Sequence, residues 1–68
     1  MPTCHLVQKR RLPDGQIVPI YHAAILLNDG ERFSIFDPAE GNDLVRGATQ
    51  SFIDKEVAAG RLIISGEN

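Results

Sequence analysis

The sequence has little cysteine and few aromatic residues. Cys4 is the only cysteine, so no disulfide can form within the chain, and the disulfide-rich scaffolds typical of small secreted domains are excluded. Tryptophan is absent, and one tyrosine stands beside three phenylalanines. The chain therefore lacks the aromatic ladder on which single-stranded nucleic acids stack.

The sequence also lacks a long hydrophobic run. Its longest uninterrupted apolar stretch is residues 23–27, which is far too short to span a bilayer. The first residues contain no apolar segment of signal-peptide length. These absences predict a cytoplasmic protein with no membrane partner, and the initial Met leads us to expect a complete small gene product.

The length of the chain limits its core. Its 68 residues predict a single domain, residues 1–68. A domain of this size buries only about 60% of the surface that its unfolded chain exposes, so we expect a thin core. Hydrophobic residues at 43% and charged residues at 24% are typical of a folded domain and not of a disordered chain.

Charge is unevenly distributed along the chain. The net charge is −2, which argues weakly against nucleic acid as a partner. Residues 1–27 carry three basic side chains against one acidic, a net of +2, whereas residues 28–68 carry four basic against eight acidic, a net of −4. This asymmetry predicts a basic end and an acidic end, which also allows head-to-tail assembly.

Two turn signals divide the first half of the chain into three strands. Residues 13–15, Pro-Asp-Gly, are typical of a three-residue hairpin loop, which would pair Leu6 with His22. Residues 29–30, Asp-Gly, favour a two-residue type I′ turn, which would pair Asn28 with Glu31 and His22 with Asp37. The predicted strands are Thr3–Leu12, Gln16–Leu27 and Glu31–Phe36, with Pro19 at a bulge or on an open edge.

The two registers assign each side chain to one face of the sheet, because side chains alternate along a strand. One face is almost wholly apolar and is the predicted core face: Cys4, Leu6, Leu12, Val18, Ile20, His22, Ala24, Leu26, Phe33 and Ile35. We call the other face the outer face: His5, Val7, Lys9, Arg11, Ile17, Pro19, Tyr21, Ala23, Ile25, Leu27, Arg32, Ser34 and Phe36.

A helix and a short strand are predicted to follow. Asn42 or Asp43 could cap a helix that begins near Leu44, and Thr49 offers a second start. The helical stripe is Val45, Ala48, Phe52, Ile53, Val57 and Ala59, and residues 61–65 are the last strand. The predicted fold is α+β: a small antiparallel three-stranded β-meander, one α-helix packed on one face and a short C-terminal strand (β-β-β-α-β). Through the helical crossover, the last strand would run parallel to the third strand, beside the first or the third.

Three residues could carry chemistry. His22 beside Asp37 resembles half of a catalytic dyad, and a small enzyme using Cys4, His22 and Asp37 is one alternative function. The chain offers little room for a substrate pocket. Cys4 and His5 point to opposite faces, so a metal site has too few converging ligands. We predict no metal site and no cofactor, and we do not expect an enzyme.

The basic residues Lys9, Arg10 and Arg11 support a second alternative, a nucleic-acid-binding protein that uses the first hairpin as a β-ribbon. Alternation places Lys9 and Arg11 on one face of the hairpin and Arg10 on the other. Three divided charges make a small footprint for a polyanion. A soluble hairpin tip explains the same residues.

The apolar side chains of the outer face carry the main functional hypothesis. One helix that packs on the core face cannot cover them, and a small monomer rarely exposes such an area without a function. We expect a protein partner or a homodimer to bury them. The predicted function is a small non-catalytic protein-binding module that regulates or inhibits a larger complex, of the kind that phages or mobile elements encode. The predicted binding residues are Val7, Ile17, Tyr21, Ile25, Leu27 and Phe36.

Overall fold

The structure, a computed structural model, describes residues 2–66. An antiparallel sheet of five strands is accompanied by one helix in this range. The strands lie in the order β4-β3-β2-β1-β5. The elements are β1 (Thr3–Arg11), β2 (Ile17–Asn28), β3 (Phe33–Asp37), β4 (Asn42–Ala48), α1 (Gln50–Ala58) and β5 (Leu62–Ser65). The α+β class is confirmed, but four strands precede the helix where three were predicted.

The first hairpin has the predicted register. Leu6 lies opposite His22, and the Leu12 N–H donates to the Gln16 carbonyl at 2.7 Å. The loop between these residues contains Gly15 with a φ of 90°, a conformation that an L side chain rarely adopts. The three-residue turn identified in the sequence therefore sets the pairing of the two longest strands.

Pro19 lies on an open edge of the sheet and not at a bulge. The pairing of β1 with β2 continues without interruption through Pro19, which faces Lys9. In an antiparallel ladder, alternate residues point their polar groups to opposite neighbours. Because the Leu12 N–H points to β2, Lys9 points away from β2 and Pro19 away from β1. The missing N–H of Pro19 therefore falls on the unpaired side of β2.

The second hairpin corrects the predicted register. Asn28 pairs with Phe33 and not with Glu31, so the loop has four residues, 29–32. Within it, the Asp29 N–H donates to the Arg32 carbonyl at 3.0 Å, and the Asn28 side chain accepts the Gly30 N–H at 3.0 Å. These local bonds stabilise the longer loop. The shift is two residues, so every β3 side chain keeps its predicted face.

The segment before the helix is a strand, which corrects the prediction of a helix beginning near Leu44. Residues 42–48 form β4 and pair with β3 through an irregular register, with Val45 opposite Ile35 and Ala48 opposite Phe33. Gly47 has a φ of 63°, which is incompatible with a right-handed helix. The helix begins at Gln50, and this confirms the second predicted start.

Thr49 caps this helix. Its Oγ1 accepts the Phe52 N–H at 3.1 Å. The extra strand reverses the chain once more, so β5 runs antiparallel to β1 and opposite in direction to β3. The prediction that the last strand would run parallel to the third is wrong for this reason, whereas its predicted alternative position beside the first strand is confirmed.

The core lies at one end of the sheet, under α1. Its buried side chains are Cys4, Ala24, Leu26, Ile35, Ala48, Ile53 and Leu62, and Leu6, Phe33, Val45 and Ile64 pack against them. The predicted core-face residues Leu12, Val18 and Ile20 are only partly buried and do not belong to this cluster. The reason is that β5 pairs with β1 only as far as Leu6, and β3 pairs with β2 only from Ile25 onwards.

The molecule therefore has two regions. The arm, residues 7–21, is a two-stranded ribbon with its turn, and the body is the remainder of the described residues, where all five strands and α1 lie. The whole measures 45 × 25 × 21 Å, so it is elongated. No helix in the described range is long and apolar enough to cross a bilayer.

Candidate functional site

The basic residues lie on the arm and point to both of its faces. Lys9, Arg10 and Arg11 are exposed. Arg11 lies opposite Ile17 on the outer face, whereas Arg10 lies opposite Val18 on the other face. Within residues 2–66, none of the three makes an ion pair. Their charges are therefore available to a partner.

The arginines of the body contrast with those of the arm. Arg61 donates two hydrogen bonds to the Glu56 carboxylate, at 2.7 and 2.9 Å. Arg46 donates to Asp43 at 3.1 Å, and Arg32 donates to the Gly47 carbonyl at 3.1 Å. Each of these guanidinium groups has an acceptor within the body. Within the described chain, the arm thus gathers three cations without an ion pair in one short ribbon, whereas Lys55 on α1 is a single exposed cation of the body without one.

The predicted binding residues of the outer face differ in exposure. Ile17 is 57% exposed and Tyr21 is 58% exposed. The other four are partly buried: Val7, Ile25, Leu27 and Phe36. The two most exposed residues lie on the arm, and the register places Tyr21 directly opposite Val7.

Sequence reasoning missed one residue of this surface. Ile63 on β5 lies opposite His5, so it belongs to the outer face, and it is 44% exposed. Its neighbour Leu62 is 1% exposed and belongs to the core. Alternation along the short last strand, with Leu62 facing inward, would have identified Ile63.

The outer face has no cover in the described part of the chain. The helix lies on the other face, where Ile53 packs into the core with Cys4 and Ala24. The outer face thus exposes apolar side chains both on β5, at Ile63, and on the arm, at Ile17 and Tyr21. A monomer of this size rarely exposes such a surface unless it binds something.

Asp37 is the buried charged residue of the described chain, at 1% exposure. Its Oδ2 lies 2.7 Å from His22 Nε2, and its Oδ1 accepts the N–H groups of Ala39 at 2.9 Å and Glu40 at 3.2 Å. The hydrogen bond from His22, followed by those of Glu40 and Ala39, holds the pKa of Asp37 below its usual value. The carboxylate thereby ties the turn after β3 to β2.

The predicted catalytic residues come together only in part. His22 and Asp37 are bonded, although the corrected register no longer sets them directly opposite each other. Cys4 is fully buried, and burial raises the pKa of its thiol. A buried thiol with a raised pKa is a poor nucleophile. Among the residues described, no group of three or more His, Cys, Asp or Glu is placed to hold a metal ion.

An open depression of about 280 Å³ lies between the end of β4 and the start of α1. Its lining is mainly apolar and backbone: Val45, Arg46, Gly47, Ala48, Thr49 and Phe52. The charged group there, Arg46, already pairs with Asp43. This depression lies apart from the His22–Asp37 pair, and its lining contains neither of those residues.

The fold defines a small α+β protein with an antiparallel sheet and a projecting two-stranded arm. Comparison of the chain with protein-family models, curated proteins and solved structures finds no match.

Proposed function

We propose that this chain is a small non-catalytic protein-binding module that regulates or inhibits a larger assembly, and that its outer face is the binding surface. The observation that carries the proposal is the uncovered apolar surface on the arm. Ile17 and Tyr21 are each more than half exposed there, on strands that continue into the core of the body.

The residue types on this surface suit a protein partner. Tyrosine and arginine are enriched among the residues that dominate protein interfaces. Full burial of one large apolar side chain contributes about 1.5–3 kcal/mol. Arg11 stands directly opposite Ile17, so a charge borders the apolar side chain. An apolar centre with cations at its margin favours a partner that presents an apolar patch beside carboxylates.

The edges of the arm are less suited to binding than its face. On the open edge of β2, Pro19 offers no N–H to an added strand. On the open edge of β1, the side chains of Lys9 and Arg11 oppose close pairing. Strand addition to the arm is therefore disfavoured on both sides, and docking onto a face remains; of the two faces, the outer one has the more exposed apolar side chains, Ile17 and Tyr21.

The test compares matched surface variants. The double variant Ile17→Ser with Tyr21→Ser removes the apolar side chains of the arm, and Val57→Ser removes a helix side chain that is 43% exposed. We expect the arm variant to lose association in sedimentation velocity and in pull-downs from the native host, and Val57→Ser to retain it. A wild-type chain that stays monomeric and captures no protein would contradict the proposal.

The arm also favours a second candidate function, nucleic-acid binding. A two-stranded ribbon can enter the major groove, and the arm carries three cations without a counter-charge in the described structure. The net charge of −4 on residues 28–68 repels a polyanion. If this candidate holds, a gel shift at low salt disappears when Lys9, Arg10 and Arg11 are all replaced by Ala. Absence of any shift at low salt would remove it.

A further inference from the structure

We propose that the occupant of the outer face is a second copy of this chain. The two sheets stack face to face with their β2 strands antiparallel, so that each arm lies towards the β2–β3 loop of the other copy. This inference rests on the proposed function, because it names the partner of the same surface. Two features of β2 support it, the charges at its ends and the sizes of its outward side chains.

The charges at the two ends of β2 select the antiparallel arrangement. One end adjoins the arm cations Lys9 and Arg11, and the other adjoins the loop 29–32, where Asp29 and Glu31 are exposed. A parallel stack would bring the cations of two arms together, which is unfavourable. An antiparallel stack brings each arm to the end of the partner where its acidic loop lies.

Arg32 does not cancel this acidic end. Its guanidinium donates to the Gly47 carbonyl at 3.1 Å, which holds it towards β4. The carboxylates of Asp29 and Glu31 make no ion pair within the described residues. Each copy thus offers an excess of unpaired cations at the arm end of β2, where Lys9, Arg10 and Arg11 outnumber Asp14, and unpaired anions at the other end.

The outward side chains at the centre of β2 also match in size in this arrangement. A twofold axis midway between the two sheets, at right angles to β2 and level with His22, relates Tyr21 to Ala23 of the other copy. The same axis relates Pro19 to Ile25, and Ile17 to Leu27. Tyr21 is large and 58% exposed, whereas Ala23 beside it is small and exposed, so the ring of each copy meets the shallow position of the other. Large against small is the arrangement that fills an interface without voids.

The length of β2 is consistent with this overlap. Ile17 and Leu27 lie at equal distances from His22 along a strand of 12 residues. At about 3.3 Å per residue, the two copies overlap along the whole of β2, and each arm ends near the loop of the other. Stacked sheets of this kind lie about 10 Å apart, with their strands about 30° from alignment.

Charge reversal tests both the dimer and its direction. One variant carries Lys9→Glu and Arg11→Glu, a second carries Asp29→Lys and Glu31→Lys, and a third combines all four changes. In sedimentation equilibrium at low salt, we expect each of the first two to raise the dimer Kd about tenfold or more. We expect the third to restore it to near the wild-type value. Lys55→Glu on the helix serves as the control and should leave Kd unchanged.

Three results would contradict the inference. A first variant that dimerises as well as wild type contradicts the antiparallel stack, and so does a third variant with no recovery. A wild-type chain that remains monomeric at every concentration contradicts the dimer itself. If that monomer still binds another protein, and Ile17→Ser with Tyr21→Ser abolishes the binding, the proposed function stands and only this inference falls. Circular dichroism of each variant shows that the fold is retained.

Discussion

The arm and the body are built from the same two strands, yet only the body has a core. In the body, β1 and β2 lie between β5 and β3 and under α1, and Cys4 and Leu26 are buried there. In the arm, Val18 and Ile20 are equally apolar but only partly buried. The difference shows that burial is set by neighbouring elements and not by the composition of the strand.

The two regions also differ in how they use charge. The arginines of the body each donate to an acceptor of the body, whereas the cations of the arm have no counter-charge among residues 2–66. The arm therefore presents its apolar side chains and its charges to the outside, whereas the body buries apolar side chains in its core and gives its arginines acceptors. The body supplies stability, and the arm supplies a surface.

The largest effect that separates the two regions should come from removing one isoleucine side chain in each. Ile35 is 1% exposed in the body, and Ile20 is a partly buried residue of the arm. We expect Ile35→Ala to lower the free energy of unfolding by about 2–5 kcal/mol, because it leaves a cavity. Ile20→Ala should cost less, about 1–2 kcal/mol, because Ile20 is partly exposed and lies outside the core cluster, so that its removal leaves no closed cavity.

Urea denaturation followed by circular dichroism measures both variants. The experiment is done at a chain concentration where wild type is monomeric, so that association does not contribute. Equal losses for Ile35→Ala and Ile20→Ala would show that the arm is as well packed as the body, which would contradict the difference between the two regions.

A smaller effect should come from the Asp37 carboxylate, which lies where arm and body meet. Its pKa is lower in the folded chain than in the unfolded chain, chiefly because of the hydrogen bond from His22. The stabilisation is therefore complete above the unfolded pKa of about 4, and is lost as the pH falls through the lower folded value. We expect the Tm of wild type to fall on acidification, and that of Asp37→Asn to be lower at neutral pH and less dependent on pH in this range.

Thermal unfolding at a series of pH values below 6 measures this dependence. The Asp54→Asn variant is a suitable control, because the exposed Asp54 side chain on α1 bonds only to Gln50 among residues 2–66. If Asp37→Asn and Asp54→Asn had the same pH dependence as wild type, the buried carboxylate would not account for the acid sensitivity.

The smallest effect on stability should come from the outer face of the arm. Ile17→Ser replaces a side chain that is already more than half exposed. Under monomeric conditions we expect a change of within about 0.5 kcal/mol, which is typical of surface substitutions. The same variant should weaken association, so stability and binding separate at this residue. A loss of stability comparable with that of Ile35→Ala would show that the arm packs against the body in solution.

Much of the fold could be predicted because turn chemistry is local. Pro13 and Gly15 fix the first loop, and the register of β1 with β2 follows over its whole length. The second turn was predicted two residues too short, because Asn28 caps a longer loop with its side chain. The faces were still predicted correctly, since a shift of two residues leaves every side chain on its side of the sheet.

The strand β4 could not be predicted for a different reason. Its pairing with β3 is irregular near Ile35, so the alternation typical of a strand is broken. Val45 and Ala48 happen to be spaced as they would be on a helix and therefore extend the helical stripe backwards. Gly47, with its positive φ, was the one local sign against a continuous helix.

The candidate surface was only partly predictable. Alternation placed Ile17 and Tyr21 on the outer face, but their exposure depends on where β3 and β5 end, and strand ends are set by the tertiary structure. Arg46 and Arg61 pair with carboxylates three and five positions away, whereas Arg32 donates to a carbonyl fifteen positions away that only the fold brings near. The sequence therefore predicts which side chains share a face, and the structure shows which of them remain uncovered.

Pro19 has a consequence for the size of any assembly that the chain forms. A projecting ribbon with open edges is a template on which further chains could add one after another without end. Pro19 at the centre of one edge lacks the N–H that an added strand would need, and the cations along the other edge repel those of an added copy. An arm that binds through its face alone, about a twofold axis, gives a closed pair instead of a fibre.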